Sequence, residues 1–213
     1  MVNKIYIVRH GETQESRLGI IQGQLNTRLT ETGKCEALAV GDYMAAHSEL
    51  NKIITSDLDR TIETAHLIAS RMKHELPIST VSALREISCG VLEGKPFQEL
   101  NDLRRAAGPN WEHVAPPGGE SYDDMKKRVL LWYEGFLKGA PNGTLIVGHR
   151  GPITEILACA KGRENLKDIL PVALRPCAIT ALTLEGNGQC ENVQLVNTTL
   201  FGTEEQIALE SSY

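Results

Sequence analysis

Lys4-Ile5-Tyr6-Ile7-Val8-Arg9-His10-Gly11-Glu12-Thr13 is the stretch that decides the fold. Its apolar run, residues 5–8, is typical of a buried parallel strand, and polar residues follow it directly. Gly11 permits a sharp turn or a close approach of the backbone to a ligand. Because open α/β sheets bind ligands at the carboxyl ends of their strands, the stretch predicts a strand that presents Arg9 and His10 to a binding crevice.

A second stretch repeats this pattern far along the chain. The apolar run Thr144-Leu145-Ile146-Val147 is followed by Gly148-His149-Arg150-Gly151. Two strands that each end in a histidine flanked by arginine and glycine predict one shared pocket, with His10 and His149 close together.

Composition narrows the class of protein. The 213 residues suit one α/β domain, 1–213, and 41% hydrophobic and 23% charged residues are ordinary for a soluble protein. The net charge of -5 argues against nucleic acid as a partner. No apolar run approaches the roughly 18 residues of a membrane span, so we expect no membrane partner.

The cysteines indicate the compartment. There are five, an odd number, and none form a C-x-x-C pair: Cys35, Cys89, Cys159, Cys177 and Cys190. This pattern favours reduced thiols over a disulfide framework or a zinc site, and it predicts a cytoplasmic protein. The first strand also begins so early that we expect no signal peptide.

Periodicity and turn signals predict the remaining elements. Helical patterns cover 30–47, 96–107, 120–137 and 152–160. A further helix is predicted directly after Ser56 or Asp57, either of which can cap it. Further strands are predicted at 53–55, 78–81, 178–184 and 193–196, the last two joined as a hairpin across Gly186-Asn187-Gly188. Residues 11–30 are predicted to be a functional loop. We therefore expect a three-layer α/β/α sandwich with a mostly parallel central sheet and a lid after the third strand, roughly residues 95–120.

The predicted pocket combines Arg9, His10, Arg60, Glu86 and His149. Arg60 falls at or near a helix N-terminus, where backbone N–H groups already favour an anion. Arginine forks match phosphate oxygens, so the natural occupant is a phosphoryl group. A neutral imidazole can attack phosphorus, and a carboxylic acid can protonate the leaving oxygen. The cations can take the part of a metal ion, so no metal or other cofactor is expected.

Three simpler interpretations stay open from the residues alone. Arg60 could pair on the surface with one of three nearby carboxylates, those of Asp57, Asp59 and Glu63. Glu86 could be a solvated carboxylate, and Glu93 lies close to it in sequence. The Arg104-Arg105 pair is most simply a solvated pair on a helix face.

The motifs together resemble the histidine phosphatase superfamily, and within it the cofactor-dependent phosphoglycerate mutase branch. The matching segments, in family order, are Val8-Arg9-His10-Gly11-Glu12-Thr13, Gln22-Gly23, Leu29-Thr30-Glu31-Thr32-Gly33, Thr55-Ser56-Asp57-Leu58-Asp59-Arg60-Thr61-Ile62-Glu63-Thr64-Ala65, Leu84-Arg85-Glu86, Gly90, Glu93-Gly94, Pro117-Gly118-Gly119-Glu120-Ser121 and Val147-Gly148-His149. Each motif is short, but the set spans most of the chain.

The resemblance implies a role for each matching residue. His10 would be the phosphorylated nucleophile and Glu86 the proton donor, while Arg9, Arg60 and His149 would bind phosphate. Gln22 and Gly23 would line the pocket, and residues after Glu86 would form a lid. The branch's mutases bind substrate with a pair of arginines in the segment that holds Arg104-Arg105.

Several positions depart from the family pattern, among them Ser16, Arg28 and Arg150. Ser16 stands where the family usually has asparagine, which puts one contact to the phosphate in doubt. Arg150 replaces a small residue, and Arg28 replaces the more usual proline. We expect Arg28 and Arg150 to extend the positive surface toward a second anionic group.

Three functions fit these expectations. The first is a phosphatase that hydrolyses a small phosphorylated metabolite, and the second is a phosphoglycerate mutase that transfers the group within one substrate. Mutases of this family resemble one another in a longer insertion between the glutamate and the second histidine, so the compact interval from Glu86 to His149 favours the phosphatase. The third, a non-catalytic binder of phosphorylated ligands, is disfavoured by the intact set of reactive residues. The sequence does not determine the oligomeric state, and a homodimer is one possibility.

Overall fold

The computed structural model describes residues 3–165, 167, 170–185 and 190–197. Its six strands are β1 (Asn3–Arg9), β2 (Lys52–Thr55), β3 (Ile78–Thr80), β4 (Thr144–Gly148), β5 (Ile179–Leu184) and β6 (Cys190–Asn197). They form one sheet in the order β3-β2-β4-β1-β5-β6. Strands β1 to β4 pair in parallel, while β5 is antiparallel to both β1 and β6. The mostly parallel central sheet is thus confirmed.

The helices are α1 (Gln14–Arg17), α2 (Glu31–His47), α3 (Asp59–Ala69), α4 (Phe97–Ala107), α5 (Tyr122–Leu137), α6 (Arg150–Lys161) and α7 (Leu170–Ala173). Side-chain caps start α2 and α5, as well as the short α1. Thr30 accepts a hydrogen bond from the Gly33 N–H, and Ser121 forms a capping box with Asp124. No helix among the described residues is both long and apolar enough to cross a bilayer.

Alternating residues of β1 bury against opposite layers. Ile5 and Ile7 pack with apolar side chains of α5 and α6, whereas Tyr6 and Val8 pack with those of α2 and α3. All four are at most 8% exposed. Because a strand that is buried on both faces needs helices on both sides, this packing produces the predicted three-layer sandwich.

The register of the two central strands brings the two histidines together. Arg9 of β1 pairs with Gly148 of β4, and the backbone N–H of His10 donates to the Gly148 carbonyl at 3.0 Å. His10 and His149 therefore follow equivalent points of neighbouring parallel strands. The pocket lies at the carboxyl edge of the sheet, as expected for an α/β fold.

The segment predicted as a lid shares a small apolar cluster with the loops beside it. Leu100 of α4 is buried against Ile21 and Cys89, and partly buried apolar side chains surround this cluster. After α4 the chain makes a 3-10 turn, Gly108–His113, before α5 begins. The segment predicted as a lid is thus one helix and a turn that pack on the loops around the pocket.

Local expectations need two corrections. The predicted loop 11–30 contains the one-turn helix α1, which begins with a capping box between Thr13 and Ser16. Neither Ser56 nor Asp57 caps α3; its N-cap is Leu58, without a side-chain bond, and Asp57 pairs with Arg85 instead. The turn predicted at Gly186-Asn187-Gly188 lies outside the described residues.

Candidate active site

His10 follows β1 and is held in one orientation. Its Nδ1 lies 2.8 Å from the carbonyl oxygen of Gly11. A carbonyl only accepts hydrogen bonds, so we assign the proton to Nδ1, which leaves the lone pair on Nε2. Burial, followed by the positive charges of Arg60 and Arg9, holds the pKa of His10 well below 6.5. At neutral pH this imidazole is uncharged, and Nε2 can act as a nucleophile.

His149 is the N-cap residue of α6 and faces His10. The two ring centroids are 5.3 Å apart, and the rings are tilted by 58°. His149 is fully buried, yet neither ring nitrogen has a hydrogen-bond partner among the described residues. Burial is the main cause of its lowered pKa, and the charge of Arg60 adds to it. A buried ring with two unsatisfied nitrogens at a helix N-terminus is suited to contact an anion.

Arg60, the second residue of α3, lies under the loop that follows α1. Its Nη1 donates to the Leu25 carbonyl at 2.7 Å and its Nη2 to the Gly23 carbonyl at 2.8 Å. Nε has no acceptor among the described residues, although Arg60 is only 1% exposed. The Nε edge of the guanidinium is thus left for a ligand. Burial lowers the pKa of Arg60 to about 10, so the side chain stays charged at neutral pH.

The interpretation of Arg60 as one half of a surface ion pair is wrong. Asp57 binds Arg85 through two hydrogen bonds of 2.7 Å, and Glu63 accepts the Leu29 N–H. Arg60 is instead buried beside the two histidines, since its charge lowers the pKa of each.

Arg9 brings a second guanidinium to the same place. It is the last residue of β1, and its Nη1 donates to the Leu174 carbonyl at 2.6 Å. Its charge contributes to the lowered pKa of both His10 and His149. The structure therefore brings Arg9, His10, Arg60 and His149 together.

Glu86 reaches the N-terminus of α6. Its Oε1 accepts the Gly151 N–H at 3.2 Å and the Ile87 N–H at 2.9 Å. A Cβ at position 151 would lie 2.5 Å from this oxygen, so only glycine lets the carboxylate lie so close to the helix. Burial lowers the pKa of Arg60, and the negative charge of Glu86 partly opposes that lowering, as expected if Glu86 lies beside the pocket.

Glu93 has a different role from Glu86. Its Oε1 accepts the N–H groups of Gln24 and Cys89 at 2.9 and 3.0 Å, and so joins the pocket loop to the segment after Glu86. Gly23, with φ of +50°, leaves the space that this carboxylate occupies. Glu93 thus joins two backbone segments, whereas Glu86 lies at the N-terminus of α6.

The remaining predicted residues differ in position. Gln22 accepts from Thr27 Oγ1 at 2.6 Å, and that hydroxyl lies 3.4 Å from Arg60 Nη1. Gly23 supports Arg60 through its carbonyl. Gln22 and Gly23 thus belong to the loop that holds Arg60.

Ser16 and Arg150 lie less directly at the pocket. The Ser16 hydroxyl donates to the Thr13 carbonyl at 2.8 Å and accepts the Thr13 N–H at 3.0 Å, so local capping already uses it. Arg150 is exposed at the first position of α6, and its charge lowers the pKa of Arg104.

The structure separates Arg104 from Arg105, which the sequence did not. Arg105 is exposed and pairs with Asp102 at 2.9 Å, as a solvated residue should. Arg104 is half-buried, with its guanidinium carbon 5.0 Å from the Trp111 ring centroid and 5.9 Å from that of Phe97. No carboxylate pairs with it in the part of the chain that the structure describes. The sequence does not distinguish the two arginines, because only the packing of α4 shows which of them is half-buried.

The arrangement can bind a tetrahedral anion and move a proton beside it. Arginine side chains and the N-termini of α3 and α6 supply positive potential, a neutral imidazole supplies a nucleophile, and Glu86 supplies a carboxyl group. Within the described ranges, no group of three or more His, Cys, Asp or Glu side chains is placed to hold a metal ion.

Comparison with protein families gives a match over nearly all of this structure. A family described as "Histidine phosphatase superfamily (branch 1)" matches residues 5–198. The alpha-ribazole phosphatase of Shigella flexneri has a similar structure, with a TM-score of 0.78 at 23% identity, covering 94% of this chain and 98% of that one.

Two curated relatives are similar in sequence. Mouse "Fructose-2,6-bisphosphatase TIGAR" is 34% identical over 172 residues, which cover 78% of this chain and 61% of the relative. "Probable phosphoglycerate mutase GpmB" of Salmonella choleraesuis is 37% identical over 152 residues, covering 68% of this chain and 69% of the relative. The matched part of this chain spans only 48% to 61% of the length of the TIGAR proteins.

Proposed function

The chain belongs to the histidine phosphatase superfamily, and we propose that it is a metal-independent phosphatase that hydrolyses a small phosphorylated metabolite through a phosphohistidine on His10. The observation that carries this proposal is the geometry of His10, whose Nδ1 is tied to the Gly11 carbonyl while its ring faces His149 at 5.3 Å. A buried, uncharged imidazole with its lone pair on Nε2 is prepared to attack phosphorus.

In the first step, Nε2 of His10 forms a bond to phosphorus while the bond to the ester oxygen breaks. Glu86, as the acid, gives its proton to the departing oxygen. Arg9, Arg60 and His149 stabilise the charge on the three other oxygens. In the second step, water attacks phosphorus, Glu86 takes a proton from that water, and inorganic phosphate leaves as the bond to Nε2 breaks.

A rapid-quench experiment with a phosphate-labelled ester tests this mechanism. We expect label to accumulate on the protein in an acid-labile, base-stable form and to map to His10. A His10→Ala variant should neither take up label nor hydrolyse the ester. His66, which is exposed on α3, provides the matched control, since His66→Ala should behave like the wild type. Turnover by His10→Ala at the wild-type rate would refute the mechanism.

Similarity to "Probable phosphoglycerate mutase GpmB" makes intramolecular transfer the alternative. Both activities share the phosphohistidine and differ in whether water reaches it. Incubation with 3-phosphoglycerate separates them: conversion to 2-phosphoglycerate without free phosphate indicates the mutase. Release of phosphate from esters across a metabolite panel indicates the phosphatase and identifies its substrate. Binding of phosphate without turnover of any ester indicates a binder.

The proposal includes two further expectations: catalysis without a metal ion, and a cytoplasmic location. Arginine and histidine side chains offset the charge of the phosphoryl group, so we expect full activity in EDTA, and a reproducible loss would contradict this part. Cys35, Cys89, Cys159 and Cys177 are free thiols in the structure, which supports a reducing compartment such as the cytoplasm.

A further inference from the structure

The backbone of Glu86 is held by a side chain from another layer of the fold. Arg128 of α5 donates from Nη2 to the Glu86 carbonyl at 3.0 Å and from Nη1 to the Ala83 carbonyl at 2.8 Å. Gln24 Nε2 donates to the same Glu86 carbonyl at 3.1 Å. The main chain on both sides of the proposed proton donor is thus bound to one guanidinium.

Arg128 is in turn oriented by Glu120. Its Nε and Nη2 donate to Oε2 and Oε1 of Glu120 at 3.0 and 2.7 Å, a two-bond fork. Glu120 Oε1 also accepts the Ser88 N–H at 2.9 Å. The side chains of Arg128 and Glu120 are only 24% and 19% exposed. This pair therefore fixes the segment 86–88 at both of its ends.

The contacts of Arg128 are with backbone and Glu120, while its charge reaches the pocket. Burial is the main cause of the lowered pKa of His149, and the charge of Arg128 adds a small contribution to it. Among the described residues, the hydrogen bonds of Arg128 go to Ala83, Glu86 and Glu120 and to none of the residues proposed to hold the phosphoryl group. Arg128 thus contacts the main chain at Glu86 and not the groups proposed to bind the phosphoryl group.

We propose that Arg128, oriented by Glu120, is a positioning residue that aims the Glu86 carboxyl group at the leaving oxygen. The inference rests on the proposed function, because it assumes that Glu86 is the acid. The Arg128 guanidinium binds two carbonyls and so fixes where the Glu86 main chain lies. The N–H groups of Ile87 and Gly151 then fix the carboxylate. Small errors in the placement of an acid lower the rate of proton transfer steeply.

The leaving group of the substrate distinguishes positioning of the acid from general loss of structure. An alkoxide leaves only if it is protonated, whereas 2,4-dinitrophenolate leaves readily without a proton. An acid that is out of position therefore slows alkyl phosphates and spares the dinitrophenyl ester. The quantity to compare is kcat/KM, because it reports the steps up to departure of the alcohol and excludes hydrolysis of the phosphohistidine.

We expect Arg128→Met to lower kcat/KM for an alkyl phosphate by about 10- to 100-fold and for 2,4-dinitrophenyl phosphate by less than about 3-fold. Arg128→Lys keeps the charge and one donor, so it should recover part of the loss. Glu86→Gln should show the same dependence on the leaving group. Once the acid is gone its position is irrelevant, so Glu86→Gln with Arg128→Met should be no slower than Glu86→Gln alone.

Arg71→Met is the matched control, since Arg71 also pairs with a carboxylate, that of Asp42, but at an exposed position in the turn after α3. This substitution should leave kcat/KM unchanged for both esters. If Arg128→Met fails to fold, as judged by circular dichroism, Glu120→Gln tests the same contact with a smaller change. Equal losses on both esters, or a double variant far slower than Glu86→Gln, would overturn the inference. Failure of the wild type to hydrolyse either ester would instead overturn the proposed function.

Discussion

His10 and His149 tie the stability of the protein to pH. Both have pKa values well below the ordinary 6.5 because burial and nearby arginines oppose their charged forms. Below about pH 6.5 the unfolded chain therefore binds protons that the folded chain does not, and the free energy of unfolding falls as the pH falls. The slope is about 1.4 kcal/mol per pH unit for each histidine and ends below the folded-state pKa.

We therefore expect urea unfolding, in phosphate-free buffer, to show a loss of stability between roughly pH 6.5 and 5. His149→Gln should remove about 1.4 kcal/mol per pH unit from the slope. The Asp57–Arg85 pair acts in another window, because the pKa of Asp57 is lowered from 3.8 and its contribution is lost only as the pH falls below that value. A slope unchanged in His149→Gln would contradict the assignment of a neutral buried ring.

Gly151 is a second residue with a measurable consequence. A Cβ there would lie 2.5 Å from Glu86 Oε1, so Gly151→Ala should displace the carboxyl group and lower kcat/KM for alkyl phosphates by about 10-fold or more. Gly135 of α5 is the matched control, since a Cβ at that position meets nothing within 4 Å. Gly135→Ala should leave activity unchanged and raise stability by about 0.5–1 kcal/mol, measured by denaturant unfolding.

Arg104 carries the prediction about substrate binding. Its half-buried guanidinium lies against Trp111 without an acidic partner among the described residues, so an anionic group of the substrate is expected to bind it. Arg104→Gln should raise KM for the physiological ester more than it lowers kcat. Arg105→Gln, which removes the exposed neighbour, should change neither constant. Equal effects of the two substitutions would show that Arg104 has no special role.

At the scale of elements, the lid depends on a small cluster. Leu100 is 5% exposed and packs with Ile21 and Cys89. Leu100→Ala should weaken docking of α4 by about 2–4 kcal/mol through lost burial and the cavity that remains. Hydrogen exchange of residues 97–107 should then accelerate while that of β1 and β4 is unchanged. Leu131→Ala provides the control, because Leu131 is 75% exposed; a global loss of protection in Leu100→Ala would contradict a separate lid cluster.

Elements also show how far the sequence could predict the structure. β1 and β4 were predictable because an apolar run followed by His and Gly is a local signal, and their neighbouring registers then follow from parallel pairing. The choice between Glu86 and Glu93 was not, since it depends on which backbone N–H groups the fold brings to each carboxylate. The burial of Arg60 likewise depends on a loop that folds over it.

At the scale of the whole molecule, an acidic protein holds a cationic pocket. The net charge is -5, yet the guanidinium groups of Arg9 and Arg60 meet beside His149 at one edge of the sheet. Inorganic phosphate should therefore stabilise the folded state, by about 2.7 kcal/mol at a concentration 100 times its Kd. The shift should appear in thermal unfolding and persist in EDTA. Arg60→Gln should abolish the stabilisation by phosphate. An equal shift in sodium chloride at the same ionic strength would show that the effect is not specific to phosphate.

The place of β1 in the sheet has a consequence for the order of events during synthesis. Both neighbours of this early strand, β4 and β5, are made late, from residues 144–148 and 179–184. A nascent chain therefore carries an unpaired apolar segment until most of the polypeptide has left the ribosome, and pairing over such separations is slow. Catalytic competence and protection from aggregation should thus arise together, when the last central strands emerge.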